Sequence, residues 1–297
     1  MTPHARRGLL LAAIAVVFFS TSPVLILLAD PMPSLVKTWV RMLVAALAVG
    51  SLALLASRSS STPSSTTLAP RTRRQTWTRF ALYGLIAALH FYFYIASLDY
   101  TTPAHSLSIV YSAPVFVTLF SAIFLHEHVR RAQWAGIGVT VLGIAILAGL
   151  EPTMSWAMAL GDFLALLSAV TFGFYSVAGR YERDRYPLFT YASRVYGAAS
   201  LWILPVALLA LPGAPEGSWG WQQIVAVVAL GIGPLALGHT LYNAALRRVH
   251  ATYVNIIASQ EVTGGVLLAF LILGQVPSPN ALVGAAVTLV GIAFVLK

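Results

Sequence analysis

The sequence predicts an all-α membrane protein whose ten transmembrane helices form two five-helix repeats of inverted topology, residues 1–150 and 151–297. Three observations point there. Of the 297 residues, 58% are hydrophobic and only 9% charged, with a mean hydropathy of +0.81, whereas soluble domains carry about 25% charged residues. The apolar residues fall in long runs without the alternation of membrane β-strands. The basic residues fall in alternate connections between those runs. Ten crossings at about 20 residues each take about 200 residues, so the remainder has no room for a large aqueous module.

The first run, 8–28, follows Arg6 and Arg7 in the charge order of a signal peptide. It exceeds a signal-peptide core and nine more runs follow, so it reads as a span. The second, 34–56, leads into the Ser/Thr/Pro-rich stretch 57–78, whose composition suits a flexible loop. The third, 80–97, is rich in aromatic residues, and the fourth, 106–125, contains Pro114. The fifth, 134–150, carries Gly136, Gly138 and Gly143, which permit close helix packing. The second half repeats the order at 158–179, 187–211, 224–246, 253–273 and 281–296, the last with Gly284 and Gly291. Each run is expected to be helical, because backbone groups facing hydrocarbon must bond within their own segment. Prolines 23, 114, 205 and 234 each remove one such bond and predict kinks.

Fifteen of the eighteen basic residues lie on one side of this arrangement: Arg6, Arg7, Arg58, Arg71, Arg73, Arg74, Arg79, Arg130, Arg131, Arg180, Arg183, Arg185, Arg247, Arg248 and Lys297. The opposite connections hold Asp30, Asp99, Glu151 and Glu216 and no Lys or Arg. The positive-inside rule therefore places both termini in the cytoplasm, with the chain in the inner (plasma) membrane. A net charge of +9 with a pI near 10.1 predicts no nucleic-acid partner, since that would need the cations gathered on one soluble face. The absence of cysteine excludes disulfides, thiol nucleophiles and thiolate metal sites.

A shift of 148 positions aligns 81–146 with 229–294 without a gap, and sixteen of the 66 pairs are identical, among them Tyr94/Tyr242, Thr140/Thr288 and Gly143-Ile144-Ala145 with Gly291-Ile292-Ala293. The linkers carry more weight than the identities. Asp99-Tyr100 aligns with Arg247-Arg248, while Arg130-Arg131 aligns with Ser278-Pro279, so basic charge swaps between equivalent loops. Two halves inserted in opposite senses require that swap. Shifts of 153 and 154 bring Gly8 to Gly161, Pro33 to Pro187 and Arg41 to Arg194.

Two tandem five-helix units, with the stretch from Tyr111 through Pro114 to Glu127 followed by Gly136 and Gly143, resemble the EamA units of the drug/metabolite transporter superfamily. The resemblance covers nearly the whole chain. The second half departs from the pattern at Val262, where the proline would stand, and at Gln275, where the glutamate would stand. The aromatic third helix and the length are similar to the YddG-type amino-acid exporter branch, which implies export of aromatic and other amino acids from bacteria by alternating access.

Lys37, Arg41, Asp162, Arg194 and Glu261 fall inside apolar runs, where a charge costs about 2.5–3.5 kcal/mol even on lenient scales. They should face a wet interior. Glu261, beside Ser259 and Gln260 near mid-span, can meet a substrate ammonium group. The guanidinium forks of Arg41 and Arg194 suit a carboxylate. Lys37 reads as a snorkelling cation and Asp162 as a helix N-terminal carboxylate, and neither enters the expected site. His90 shares a face with Tyr94 and Ser97, and His239 with Tyr242 and Asn243, at helical spacings. Tyr111 and Tyr175 complete a candidate substrate-binding set of Arg41, His90, Tyr94, Tyr111, Tyr175, Arg194, His239, Tyr242, Ser259, Gln260 and Glu261. These groups could line an amphipathic cavity for a zwitterion with an apolar or aromatic side chain.

No catalytic residues, metal ligands or cofactor are expected. His126-Glu127-His128 lacks the four-residue spacing that would put two imidazoles on one helix face, and no phosphate loop or nucleophile elbow is present. The reading is a gradient-driven or facilitative amino-acid exporter that needs no ATPase subunit, with the bilayer and a small molecule as partners and a sequence compatible with a monomer. Efflux of cationic drugs remains the alternative, with Glu261 and the aromatic rings as a cation site. An intramembrane enzyme or receptor is a remote third.

Overall fold

The computed structural model describes residues 3–59, 72–125, 128, 130–149, 154–182, 184–211, 219–248, 254 and 257–295. Arg71, His126, Glu127, Glu151, Arg183, Glu216 and Lys297 from the reading above lie outside the described residues, as does most of the stretch 57–78. Among the described residues there is no strand. The helices are α1 (Pro3–Ser20), α2 (Ser22–Leu28), α3 (Ser34–Ser59), α4 (Arg73–Ser97), α5 (Pro103–Val110), α6 (Ala113–Leu125), α7 (Arg131–Gly149), α8 (Trp156–Glu182), α9 (Leu188–Ala210), α10 (Trp221–Leu230), α11 (Thr240–Leu246), α12 (Glu261–Leu273) and α13 (Pro279–Val295). Seven continuous stretches among the described residues are long and apolar enough to cross a membrane. The three other expected crossings correspond to shorter apolar helices, Arg131–Ile146, Glu261–Leu273 and Pro279–Phe294.

Local chemistry explains the ends and the breaks. Thr72 begins α4 with a reciprocal cap, its hydroxyl accepting from the Gln75 amide at 3.2 Å while the Gln75 side chain accepts from the Thr72 amide at 3.1 Å. Thr102 caps α5, and Pro103 occupies the first turn, where its missing N–H costs nothing. The first expected span divides at Thr21, just before Pro23, and the fourth at Tyr111-Ser112, just before Pro114. In the eighth, Gly231–His239 winds as a π-helix around Pro234, which supplies no amide to the preceding turn. Pro205 sits inside α9 without breaking it. The ninth breaks at Ser259-Gln260, the repeat equivalents of Tyr111-Ser112, although no proline follows. Here the Val262 amide bonds Ser259 O at 3.2 Å and the Gly264 amide bonds Gln260 O at 2.9 Å as α12 begins.

Packing follows an exchange pattern between the halves. α4 lies against α8 and α9, and in turn the π-helical segment lies against α1 and α3. α5 and α6 pack on α8, and α12 packs on α1 and α2. α3 pairs with α9, and α7 with α13. At the α7–α13 seam the two backbones meet closely. A Cβ on Gly143 would lie 2.4 Å from the Thr288 amide nitrogen, and a Cβ on Gly291 would lie 2.4 Å from the Thr140 amide nitrogen. Each glycine thus meets the repeat equivalent of the other's neighbour, as a two-fold relation demands. Elsewhere small residues again let backbones close: Ala45, Ala87, Ala88, Ala192 and Ala199 are all buried in the core shared by α3, α4 and α9.

Two charged residues behave differently from expectation. Lys37 is fully buried and does not snorkel: its ammonium pairs with Asp30 and lies 3.8 Å from Asp99, which also accepts from Ser34. Enclosure by α3 and these two connections leaves the side chain no path to the interface. Asp162 accepts from Thr101 at 2.9 Å and lies 3.0 Å from His105 Nδ1, joining α8 to α5. At the other end, buried Glu182 accepts from the Tyr83 hydroxyl at 2.8 Å and lies 3.5 Å from both Arg79 and Arg185.

Candidate functional site

The helix breaks converge on a cavity among the described residues. Phe19 and Ser22 approach from the α1–α2 break, Tyr111, Ala113 and Pro114 from the α5–α6 break, Pro234 and His239 from the π-helical segment, and Ala258 and Glu261 from the start of α12. Irregular backbone at membrane depth is tolerated where it lines such a space, because polar partners other than lipid are then within reach.

Arg41 projects from α3 and is 2% exposed. Its Cζ sits 4.6 Å from the centroid of the Phe91 ring, a cation–π seat that desolvation strengthens. Neither Nε nor Nη1 has a hydrogen-bond partner. His90 Nδ1 lies 3.0 Å from Ser168 O, and the Ser168 hydroxyl bonds back to His90 O at 3.0 Å. A carbonyl can only accept, so Nδ1 carries the proton and Nε2 of the neutral ring is an acceptor. The His239 ring packs 4.8 Å from Phe19 and edge-on to Phe91 at 5.3 Å, with Nδ1 unpartnered. Across from these groups, the Tyr111 hydroxyl donates to the Glu261 carboxylate. Tyr94, Tyr242 and Phe172 complete the aromatic wall. The cavity therefore combines one guanidinium, one carboxylate and a largely apolar surround.

A model of the EamA-like transporter family matches residues 6–149 and matches again over residues 159–297. The chain belongs to the EamA-like transporter family. It is a multi-pass membrane protein of two-repeat architecture, as that family and the apolar helices require. Among EamA-type relatives, a "probable terminal-alkyne amino-acid exporter" of Streptantibioticus cattleyicolor is 30% identical over 199 residues, covering 64% of this chain and 63% of that one. The aromatic amino acid exporter YddG of Ancylobacter novellus is 28% identical over 211 residues, covering 70% and 71% respectively. A crystal structure superposes with a TM-score of 0.65 over 97% of this chain and 95% of its own at 22% identity, a likeness of fold.

Within this EamA-type framework, Arg41, His90, Tyr94, Tyr111, His239, Tyr242 and Glu261 of the sequence-derived set line the cavity together. Tyr175 stands a layer behind, its ring 6.5 Å from His239 and 6.0 Å from Phe172. Ser259 is buried without lining the cavity, and Gln260 is exposed. Both fall in the turn before α12, whose irregular path rotates them away from Glu261. Arg194 is exposed and lies over Phe80 and Tyr186, 5.4 and 5.6 Å from the ring centroids. Sequence reasoning passed over Phe19, Ser22 and Phe172, and it read Phe91 as facing lipid, whereas Phe91 is buried in the cavity wall. The signal for the first two was present, since both flank the Pro23 break.

Proposed function

We propose that this protein is a carrier, and not an enzyme, that exports neutral and aromatic amino acids across the inner membrane by alternating access. One observation carries the reading: Arg41, which lines the cavity together with Glu261, is buried with Nε and Nη1 unpartnered. A buried charge without a partner costs several kcal/mol, and a ligand carboxylate would supply the missing acceptors bidentately. Glu261 and His90 Nε2 then take the ammonium group, and Phe19, Phe91 and Phe172 surround the side chain. The printed descriptions of the two exporters above support an amino-acid cargo.

The reading includes halves 1–150 and 151–297 inserted in opposite senses with both termini cytoplasmic. It is supported by the swapped loop charges and by the exchange pattern of helix contacts. Efflux of cationic drugs fits less well, because a second cation would share the cavity with Arg41. The test is flux of a panel of labelled amino acids from proteoliposomes of the purified chain, with and without a proton gradient. Acceleration of phenylalanine over protein-free vesicles is expected, and its absence for every amino acid removes the proposal.

A further inference from the structure

The two charged groups of the cavity are unequally satisfied. Glu261 already accepts a hydrogen bond from the Tyr111 hydroxyl. Arg41 Nε–H and Nη1–H donate to nothing in the protein, and His239 Nδ1 has no hydrogen-bond partner. The unmet demand on the Arg41 side is thus for an acceptor. A carboxylate meets it with two oxygens and about four lone-pair sites, whereas an ammonium group brings three more donors and sets a second positive charge near the guanidinium. Where a site leaves buried donors orphaned, a ligand that pairs them is favoured strongly over one that does not.

We propose that the cavity selects its cargo by the carboxylate rather than the amine, and therefore also carries aromatic monocarboxylates that have no amine, such as arylalanine-shaped 2-oxo acids. The inference rests on the carrier reading above and deepens it. Arg41, pinned over Phe91 at 4.6 Å, offers the anion a fixed fork beside an aromatic floor, so an aryl group linked to a carboxylate by a short chain meets both at once. The acceptor at His90 Nε2, left free because Nδ1 bonds Ser168 O at 3.0 Å, makes an amine a gain and not a requirement.

The experiment uses proteoliposomes of the full chain at neutral pH, where phenylpyruvate is ionised, and follows labelled phenylalanine and labelled phenylpyruvate against protein-free vesicles, with phenethylamine as competitor. Phenylpyruvate is expected to cross, and to compete with phenylalanine within about tenfold of unlabelled phenylalanine, while phenethylamine does not compete; Arg41→Gln is expected to weaken phenylpyruvate by about tenfold or more. Flux of phenylalanine with neither flux nor competition by phenylpyruvate overturns the inference and leaves the carrier reading standing. Flux of neither brings both down. A second measurement, the thermal unfolding midpoint of the wild-type chain in detergent, does not depend on the variant folding. Phenylpyruvate should raise it and phenethylamine should leave it unchanged, and the opposite order overturns the inference.

Discussion

Arg41 and Arg194 align across the repeat, yet they do different things. Arg41 is enclosed with two unpartnered nitrogens, and Arg194 is exposed over two rings. Arg41→Gln should raise the KM for phenylalanine flux by about tenfold to a hundredfold, the loss of a charge-assisted bond worth about 1.5–3 kcal/mol, and Arg194→Gln should have a much smaller effect. Equal effects in the two variants would refute the assignment. Sequence periodicity placed both in lipid-spanning segments, but a register of three or four residues on a helix decides lumen or surface, and only the neighbours' packing sets that rotation. Asp99 provides a pH test outside the spans. Burial pushes its carboxyl above the ordinary value, against the pull of Ser34 and Lys37 and with a further push from Asp30. The folded chain then holds the Asp99 proton more tightly than the unfolded chain. That contribution favours folding below the unfolded pKa and is lost as pH rises through the folded one. The melting midpoint of Asp99→Asn relative to wild type should therefore climb as pH rises through the ordinary carboxyl range toward neutrality. A flat difference would count against it.

Broken helices, rather than straight ones, build the cavity. Three of the four prolines marked in the sequence sit at a break or in the π-helical turn, while Pro205 is absorbed by α9. The break before α12 has no proline, so hydropathy and proline position together located three apolar runs whose helix is interrupted and missed a fourth. Its equivalence to the break before α6 places Tyr111 at one discontinuity and Glu261 at the other, joined by a hydrogen bond. Tyr111→Phe removes that donor from a buried carboxylate, and flux of phenylalanine should fall by about tenfold or more. Unchanged flux would make the pair a mere packing contact. At the α7–α13 seam, Gly143→Leu must displace backbone that a Cβ would already meet at 2.4 Å. Unfolding should move to lower temperature by the equivalent of about 1–3 kcal/mol, whereas the same change at Gly138, which has nothing within 4 Å, should leave the midpoint nearly where it was.

Across the molecule, composition and charge placement were enough to read a multi-pass helical fold, since the bilayer leaves few alternatives. The contacts that tie distant segments, Lys37 with Asp99 and His105 with Asp162, were not legible, because nothing local signals a partner dozens of residues away. Cysteine-tag accessibility is clean in a chain that has no cysteine of its own. Single cysteines at both termini should be labelled from the cytoplasm, and those at Asp30 and Ser278 from outside; termini on opposite faces would rule out the proposed threading. The reciprocal Gly143/Thr288 and Gly291/Thr140 contacts have a mechanical corollary. If the halves rock as proposed, a seam that maps onto itself when they trade conformations would be the stationary pivot. Stapling α7 to α13 there should then leave turnover intact, while a staple between α1 and α12, which belong to different halves and pack together in this structure, should arrest it.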